Sequence, residues 1–167
     1  MFEVFVSGLA FDILSRSPVV LLKDIGGAGV LPIWIGPNEA AAIALELSGI
    51  SPKRPLTHDL LKSVLDGFSA QVQKIVVSSL QDNTYYAKFY IKAGENAIFE
   101  IDARPSDSIA MALKMNSPIF VADDLRDSLV HFSLSEDSGP GDALGDPMDL
   151  KNRLRNIDPE DFGNFSA

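Results

Sequence analysis

The sequence predicts an α+β fold, in which a mainly antiparallel sheet carries helices packed on one side. Three observations lead to this prediction: six strand-like segments, two helix starts marked by proline, and an internal repeat with a spacing of 68 residues, as from Pro37 to Pro105. Because three strand segments precede each of these helices, a regular alternation of strands and helices around a parallel sheet is excluded.

The strand segments are rich in β-branched and aromatic residues, which favour strands. They are FEVFV, PVVLLK and VLPIWI in the first half, and QKIVVSSL, YYAKFYIK and AIFEIDA in the second. Residues 24–29 and 93–96 carry the glycine and polar residues that are typical of hairpin turns.

Proline, acidic residues and glycine predict where the helices begin and end. Pro37 and Pro105 occupy first-turn positions, where the missing amide proton costs nothing, and an acid follows two residues later. The first helix is predicted to stop at Gly49. Between the halves, Thr57 is predicted to cap a further helix that runs from residue 58 to about residue 65, and ADDLRDSLVHF is its counterpart after the second half.

The repeat aligns PIWIGPNEAAAIALEL with IFEIDARPSDSIAMALKM, so that Glu39 falls on Asp107. Residues 2–49 and 73–117 thus form two predicted βββα units. The pattern leaves open whether the units arose by duplication or are alike by chance. It also leaves open whether the six strands close into a barrel, which would bury both sheet edges.

One domain, residues 1–132, is predicted, followed by an acidic tail at residues 133–167. The tail holds the Gly-, Pro- and Asp-rich stretch SEDSGPGDALGDP, which is typical of a linker. A short helix at residues 148–157 is predicted after this linker, because MDLKNRLRNI places apolar residues roughly on one side.

Composition excludes several classes of protein. The 167 residues contain no cysteine, which removes disulfide frameworks, thiolate zinc sites and cysteine nucleophiles. The net charge of −9 opposes nonspecific attraction to polyphosphates and anionic lipids. No secretory pattern or membrane-length apolar run is present, so a cytoplasmic, bacterial protein without a membrane partner is expected.

Three polar motifs lie beside turns and helix starts, where a rigid frame presents side chains to solvent. They are IGPNEAAA, KRPLTHDLL and IDARPSDSIA. Together with the PIFV that follows the third motif, they resemble the bifunctional nuclease domain family over about residues 1–132. The resemblance implies an α+β domain of duplicated character and, for plant members, nuclease activity on RNA and DNA.

Four residues are candidates for catalysis. Asp102 and Asp107 flank a strand-to-helix junction, and their carboxylates could converge on one Mg²⁺ or Mn²⁺ ion. Alternatively, Asp107 only complements the helix dipole and Asp102 only pairs with Arg104. His58 could move a proton near neutral pH or serve as a hydrogen-bond donor at the helix start, and its neighbour Asp59 is expected to point elsewhere.

Candidates for substrate binding surround the same motifs. Arg54 and Arg104 each precede a proline and suit phosphate, because a guanidinium binds phosphate through two N–H groups. Glu39, at the first-half position of Asp107, and Ser106 are added to this set. The two helix starts could face one cleft or form two separate sites. Among the aromatic residues, Trp34 is one that could stack on bases if it is exposed.

Two functional hypotheses remain at this level. The first is a nuclease of low sequence specificity that acts weakly on RNA or single-stranded DNA. The second is a noncatalytic oligomeric binding or regulatory module, with anion sites at the helix N-termini. A homo-oligomer is expected in either case, because an open sheet exposes its edges, and a dimer is the default.

Overall fold

The computed structural model describes residues 1–94 and 97–131. The predicted acidic tail at residues 133–167, with its linker and its helix at 148–157, lies outside the described residues. Over the described part of the chain, no helix has both the length and the apolar character needed to cross a membrane.

The first half contains three antiparallel strands and a helix. They are β1 (Phe2–Asp12), β2 (Ser17–Asp24), β3 (Gly29–Trp34) and α1 (Pro37–Ser48). The predicted stop at Gly49 is confirmed: Gly49 has a φ of 65°, a left-handed conformation that glycine adopts without a Cβ clash, and its amide donates to the last turn of α1.

The second half repeats the order of three strands followed by a helix, after a helix that joins the two halves. These elements are α2 (Thr57–Gly67), β4 (Ala70–Gln81), β5 (Thr84–Ala93), β6 (Ala97–Ala103) and α3 (Pro105–Met115). The mixed α+β class is therefore confirmed, whereas the origin of the two halves by duplication stays a prediction.

The start of α2 differs in detail from the prediction. Thr57 is the first helical residue and Leu56 occupies the cap position. The Asp59 carboxylate reaches back and accepts a hydrogen bond from the Leu56 amide through Oδ2 at 2.8 Å. An acid at the third helical position thus satisfies the amide of the cap residue, whereas Thr57 is predicted to accept from amides within the first turn.

The sequence pattern missed a short strand that joins the two halves. The strand β7 (Ile119–Val121) lies between β1 and β4, antiparallel to β1 and parallel to β4. Three residues are too few to display an alternating pattern, so only the tertiary pairing reveals this strand. A 3₁₀ helix (Asp123–Ser128) and β8 (Val130–His131), which pairs with β3, follow it.

The sheet is open, which decides the question that the sequence left open, whether the strands close into a barrel. The strand order is β6-β5-β4-β7-β1-β2-β3-β8, with β6 and β8 at the edges of the described sheet. Because β7 joins the two halves side by side, their outermost strands lie far apart in the strand order, and no pairing joins them within the described sheet.

One face of the sheet forms the core with the helices. Cross-strand pairing aligns Phe89, Ile75, Ile119 and Val4 in a row, and all four belong to the buried cluster. The helix α3 is central to this cluster, since seven of its residues are buried. This arrangement places the starts of α1 and α3 side by side at one end of the sheet.

Candidate active site at the helix starts

The starts of α1 and α3 face one shared cleft of about 480 Å³ rather than two separate sites. Each helix follows the last strand of its half, and Pro37 or Pro105 at the first helical position supplies a φ that already suits a helix. The lining residues are Ile33, Trp34, Ile35, Gly36, Glu39, Asn83, Thr84, Tyr85, Arg104, Pro105 and Ser106.

Arg104 joins the two helix starts. Its Nε donates to Oδ2 of Asp107 at 2.8 Å, and its Nη2 donates to Oδ1 at 3.3 Å. Its Nη1 donates to Oε1 of Glu39, which lies 65 residues away in the sequence, at 2.9 Å. Both carboxylates raise the pKa of the Arg104 guanidinium above its ordinary value, and Asp107 contributes more than Glu39 does. Arg104 therefore stays charged.

His58 lies on α2 and brings this third helix into the arrangement. Its Nε2 lies 3.4 Å from Oδ1 of Asp107, and its side chain is partly buried. We call Glu39, His58, Arg104 and Asp107 the Arg104 cluster. It combines a fixed cation, two carboxylates and an imidazole in a place that solvent reaches.

A largely buried lysine joins the three helices. Lys114 of α3 is only 11% exposed, and its ammonium lies 2.6 Å from Oε1 of Glu46 on α1 and 2.5 Å from Oδ1 of Asp59 on α2. Burial lowers the pKa of Lys114, but the two carboxylates raise it by more than burial lowers it. The pKa of Lys114 therefore lies above its ordinary value. The hydrogen bond from Lys114 lowers the pKa of Asp59.

Gly36 allows the Glu39 carboxylate to fold back over the helix start. A Cβ at Gly36 would overlap Oε2 of Glu39. The backbone at Gly36 has a φ of −74°, which any residue adopts. A larger residue at this position is therefore disfavoured by the nearby Glu39 carboxylate and not by its backbone conformation. The glycine therefore keeps Glu39 within reach of Arg104.

A second group of residues that line the cleft, which we call its second wall, is aromatic and polar. Trp34 is 52% exposed, and its indole Nε1 donates to Oδ2 of Asp12 at 2.9 Å. Hydrogen bonds from the Ser15 hydroxyl, the Trp34 indole and the Leu14 amide lower the pKa of Asp12 to about 2. The ionised Asp12 thus anchors the indole at the edge of the cleft.

The β4–β5 hairpin completes this wall. Asp82 and Asn83 both have positive φ, at 47° and 59°, as in the two-residue turns that match the twist of paired strands. Asn83 and Thr84 are exposed and line the cleft next to Tyr85.

Not every predicted site residue joins the cluster. Asp102 lies on exposed β6 opposite Lys88, and the strand alternation turns it to the face without helices, so it does not converge with Asp107.

The other predicted residues differ in their positions. Arg54 lies in the exposed loop before α2, and no contact among the described residues joins it to the cluster. Ser106 is buried at the start of α3 and lines the cleft. Asp59, as expected, points away from His58.

Among residues 1–94 and 97–131, no group of three or more histidine, aspartate or glutamate side chains is arranged to hold a metal ion. The predicted pair of Asp102 and Asp107 does not meet, because Asp102 points to the face of the sheet without helices and Asp107 lies on α3, which covers the other face. The pair of carboxylates that the fold does bring to one place is Glu39 and Asp107, with Arg104 between them.

Sequence reasoning missed Glu46 and Lys114, although a signal was available. The spacing of 68 residues that aligns Pro37 with Pro105 also aligns Glu46 with Lys114. Opposite charges at equivalent positions of two helices that pack together are good candidates for a direct ion pair.

Comparisons with known proteins identify the family of this chain. A model of the bifunctional nuclease domain matches residues 20–131, which include every residue of the Arg104 cluster. An uncharacterized protein of Mycobacterium tuberculosis is 35% identical over 165 residues, covering 97% of this chain and 98% of the relative. It also supports the expected bacterial source.

Plant relatives match a shorter region. Bifunctional nuclease 2 of Arabidopsis thaliana is 26% identical over 108 residues, covering 64% of this chain and 33% of the plant protein. Bifunctional nuclease 1 of Oryza sativa subsp. japonica is 26% identical over 112 residues, covering 66% and 34%. The family model covers well over half of this chain, which therefore belongs to the bifunctional nuclease domain family.

Proposed function

We propose that this protein hydrolyses phosphodiester bonds of RNA and DNA with low sequence specificity, in the cleft between the starts of α1 and α3. The observation that carries the proposal is the Arg104 cluster, which unites a phosphate-binding guanidinium with proton-accepting and proton-donating groups. The name of the plant relatives, bifunctional nuclease, supports the same activity.

Arg104 is suited to hold the phosphate. A guanidinium has five N–H donors, and the carboxylates of Asp107 and Glu39 take three of them. With respect to the described residues, two donors remain for the nonbridging oxygens of a phosphate, and the side chain is exposed. The neighbouring carboxylates keep this cation in place and reduce its pull on polyanions, in line with weak binding.

Glu39 and His58 supply the proton transfers. Glu39 accepts a proton from the attacking water as its oxygen bonds to phosphorus. The bond from phosphorus to the leaving oxygen then breaks, and protonated His58 donates a proton to that oxygen. The Asp107 carboxylate, whose Oδ1 lies 3.4 Å from Nε2, holds the ring in place on this side, which leaves Nδ1 to donate.

A divalent cation, Mg²⁺ or Mn²⁺, stays part of the proposal only as an ion that arrives with the substrate. Such ions often bind one or two carboxylates together with substrate phosphates, and Glu39 and Asp107 fit that description. When bound, the ion would neutralise charge on the phosphate. The proton transfers above rest on residues of this chain alone.

The second candidate is a noncatalytic oligomeric module. One observation favours it: both carboxylates of the cluster are paired with Arg104, an arrangement that also serves to lock α1 against α3. The exposed apolar side chains of Leu60 and Val64 on α2, and of Phe68 directly after it, support the predicted self-association. Oligomer number and cytoplasmic location stay predictions.

The activity is tested with end-labelled single-stranded RNA and DNA of one sequence and protein purified free of host nucleases. We expect Asp107→Asn to lower the cleavage rate at least about 100-fold, because the His58 ring and the Arg104 guanidinium both lose their charged partner. The control is Asp102→Asn, which removes a nearby carboxylate that points to the other face of the sheet.

Equal rates for the Asp107 variant and the wild-type chain, with circular dichroism unchanged, would reject the proposed site. A large loss in the Asp102 variant alone would return the catalytic role to that residue. Parallel reactions with Mg²⁺, with Mn²⁺ and with EDTA decide whether a cation takes part. No cleavage under any of these conditions would favour the noncatalytic module.

A further inference from the structure

The cleft has two walls of different chemistry. One wall carries the charged Glu39 and Arg104, and the other carries the exposed ring of Trp34 with the hairpin residues Asn83 and Thr84. A volume of about 480 Å³ lies within the usual range of small-molecule sites, roughly 300–1,000 Å³. The charged wall suits a phosphate, which leaves the role of the second wall to be explained.

Trp34 is exposed to an unusual degree for a tryptophan. Burial of so large an apolar side chain is favourable, yet about half of this ring faces solvent at the end of a strand. Its only polar group, the indole N–H, already bonds to Asp12. What the residue offers to the cleft is therefore a fixed apolar ring.

The anchor of the ring is itself held firmly. Asp12 accepts hydrogen bonds from the Ser15 hydroxyl at 2.7 Å and from the Leu14 amide at 3.0 Å, in addition to the bond from Trp34. A ring held in this way loses little conformational freedom when a ligand packs against it. Such prior ordering suits a binding surface, because it lowers the entropic cost of binding.

We infer that Trp34 is a stacking platform for one unpaired nucleobase whose neighbouring phosphate binds Arg104, so that the substrate is single-stranded nucleic acid. The inference rests on the proposed function. Bases in a duplex are stacked on each other and would have to be flipped out to reach the ring, whereas bases of a single strand are free to stack.

Low sequence specificity follows from the same geometry. Every base has a π-face, so stacking on a tryptophan tolerates all four bases. The exposed side chains of Asn83 and Thr84 offer donors and acceptors beside the ring that can adapt to different base edges.

The experiment uses the intrinsic fluorescence of Trp34, which is the only tryptophan in the chain. The full-length protein is titrated with a single-stranded oligothymidylate, with an abasic strand of the same length, and with a blunt-ended duplex. We expect the oligothymidylate alone to quench the fluorescence strongly, because the abasic strand presents phosphates without bases and the duplex presents bases that are already stacked.

Two variants complete the test, with binding measured by anisotropy of a labelled oligothymidylate. Trp34→Leu is expected to weaken binding about tenfold or more, and Trp34→Phe to restore most of it. The control is Phe99→Leu, which removes an equally exposed aromatic ring, also 52% exposed, on β6 outside the cleft. Circular dichroism confirms the fold of each variant.

The outcomes separate this inference from the proposed function. Equal affinity of the Trp34→Leu variant and the wild-type chain, or equal quenching by abasic and thymidylate strands, overturns the stacking platform even if the wild-type chain cleaves nucleic acid. Base-dependent quenching in the wild-type chain, together with weaker binding of Trp34→Leu by anisotropy, in a chain that cleaves nothing, supports the platform and rejects the nuclease.

Discussion

Replacing Lys114 by methionine tests whether the buried bridge to Glu46 and Asp59 holds the three helices together. The change keeps most of the side-chain length but removes the ammonium, so two carboxylates lose their shared partner. A partnerless buried charge is unfavourable, because the interior does not solvate it as water does.

The magnitude follows from the exposure of the three groups. Removal of one partner from a fully buried ion pair costs about 3–5 kcal/mol. Here the lysine is 11% exposed but Glu46 and Asp59 are 22% and 28% exposed, so water partly solvates the carboxylates that remain. We expect a loss of about 2–3 kcal/mol in the free energy of unfolding, or roughly 4–12 °C in Tm for a protein of this size.

Urea denaturation at pH 7, followed by circular dichroism, measures this loss. The matched control is Lys62→Met, which breaks the exposed ion pair between Lys62 and Asp66 within α2. Exposed pairs contribute little, so we expect this control to lose less than about 0.5 kcal/mol. In the Lys114→Met background, Asp59→Asn should recover part of the stability, because it removes one of the two unpaired charges.

The dependence on pH gives a second check on the same bridge. The pKa of Lys114 is raised from 10.5, so its contribution is full below pH 10.5 and is lost as the pH rises through the higher folded value. The pKa of Asp59 is lowered from 3.8, so its contribution is full above that pH and is lost as the pH falls through the lower folded value. The difference between wild type and Lys114→Met should be constant between about pH 5 and 9 and shrink at both extremes. Equal losses for the Lys114 and Lys62 variants would refute this reasoning.

Two further predictions concern the walls of the cleft. The Asp12 carboxyl should titrate with a midpoint of about 2 by NMR, so that its stabilising effect is full above pH 3.8 and lost as the pH falls through about 2; a midpoint near 4 would mean that Trp34 is not anchored. Gly36→Ala should push the Glu39 carboxylate aside and slow cleavage with little change in Tm, whereas Gly67→Ala, where a Cβ meets nothing within 4 Å, should leave the rate unchanged; equal rates for both variants would contradict this role of Gly36.

Much of the local structure could be predicted because its causes are local. The helix starts at Pro37 and Pro105 depend on one fixed dihedral and one nearby acid, and both are where the sequence places them. The stop at Gly49 depends on the conformational freedom of one residue. The cap of α2 was predicted one residue late, because Thr57 is a preferred cap residue by type, whereas the structure places the apolar Leu56 there and the Asp59 carboxylate accepts from the Leu56 amide.

The sequence predicted which types of residue form the candidate site, but it did not predict which individual residues come together there. Arg104 and Asp107 are three residues apart, and their pairing follows from the geometry of one helix turn. Asp102 is just as near in sequence, but it precedes the helix on a strand, where alternate residues point to opposite faces. A sequence window that spans a strand-to-helix junction does not reveal this change of direction.

The sequence by itself determined which segments become strands and helices, where the helices begin, and which polar residues gather at those starts. Only the tertiary structure decided that Glu39 and Arg104 meet, that Lys114 joins three helices, and that β7 inserts between β1 and β4 in an open sheet. The physical reason is one of range: dihedral preferences and capping act within a few residues, whereas partner choice among distant charges and strands depends on how the whole core packs.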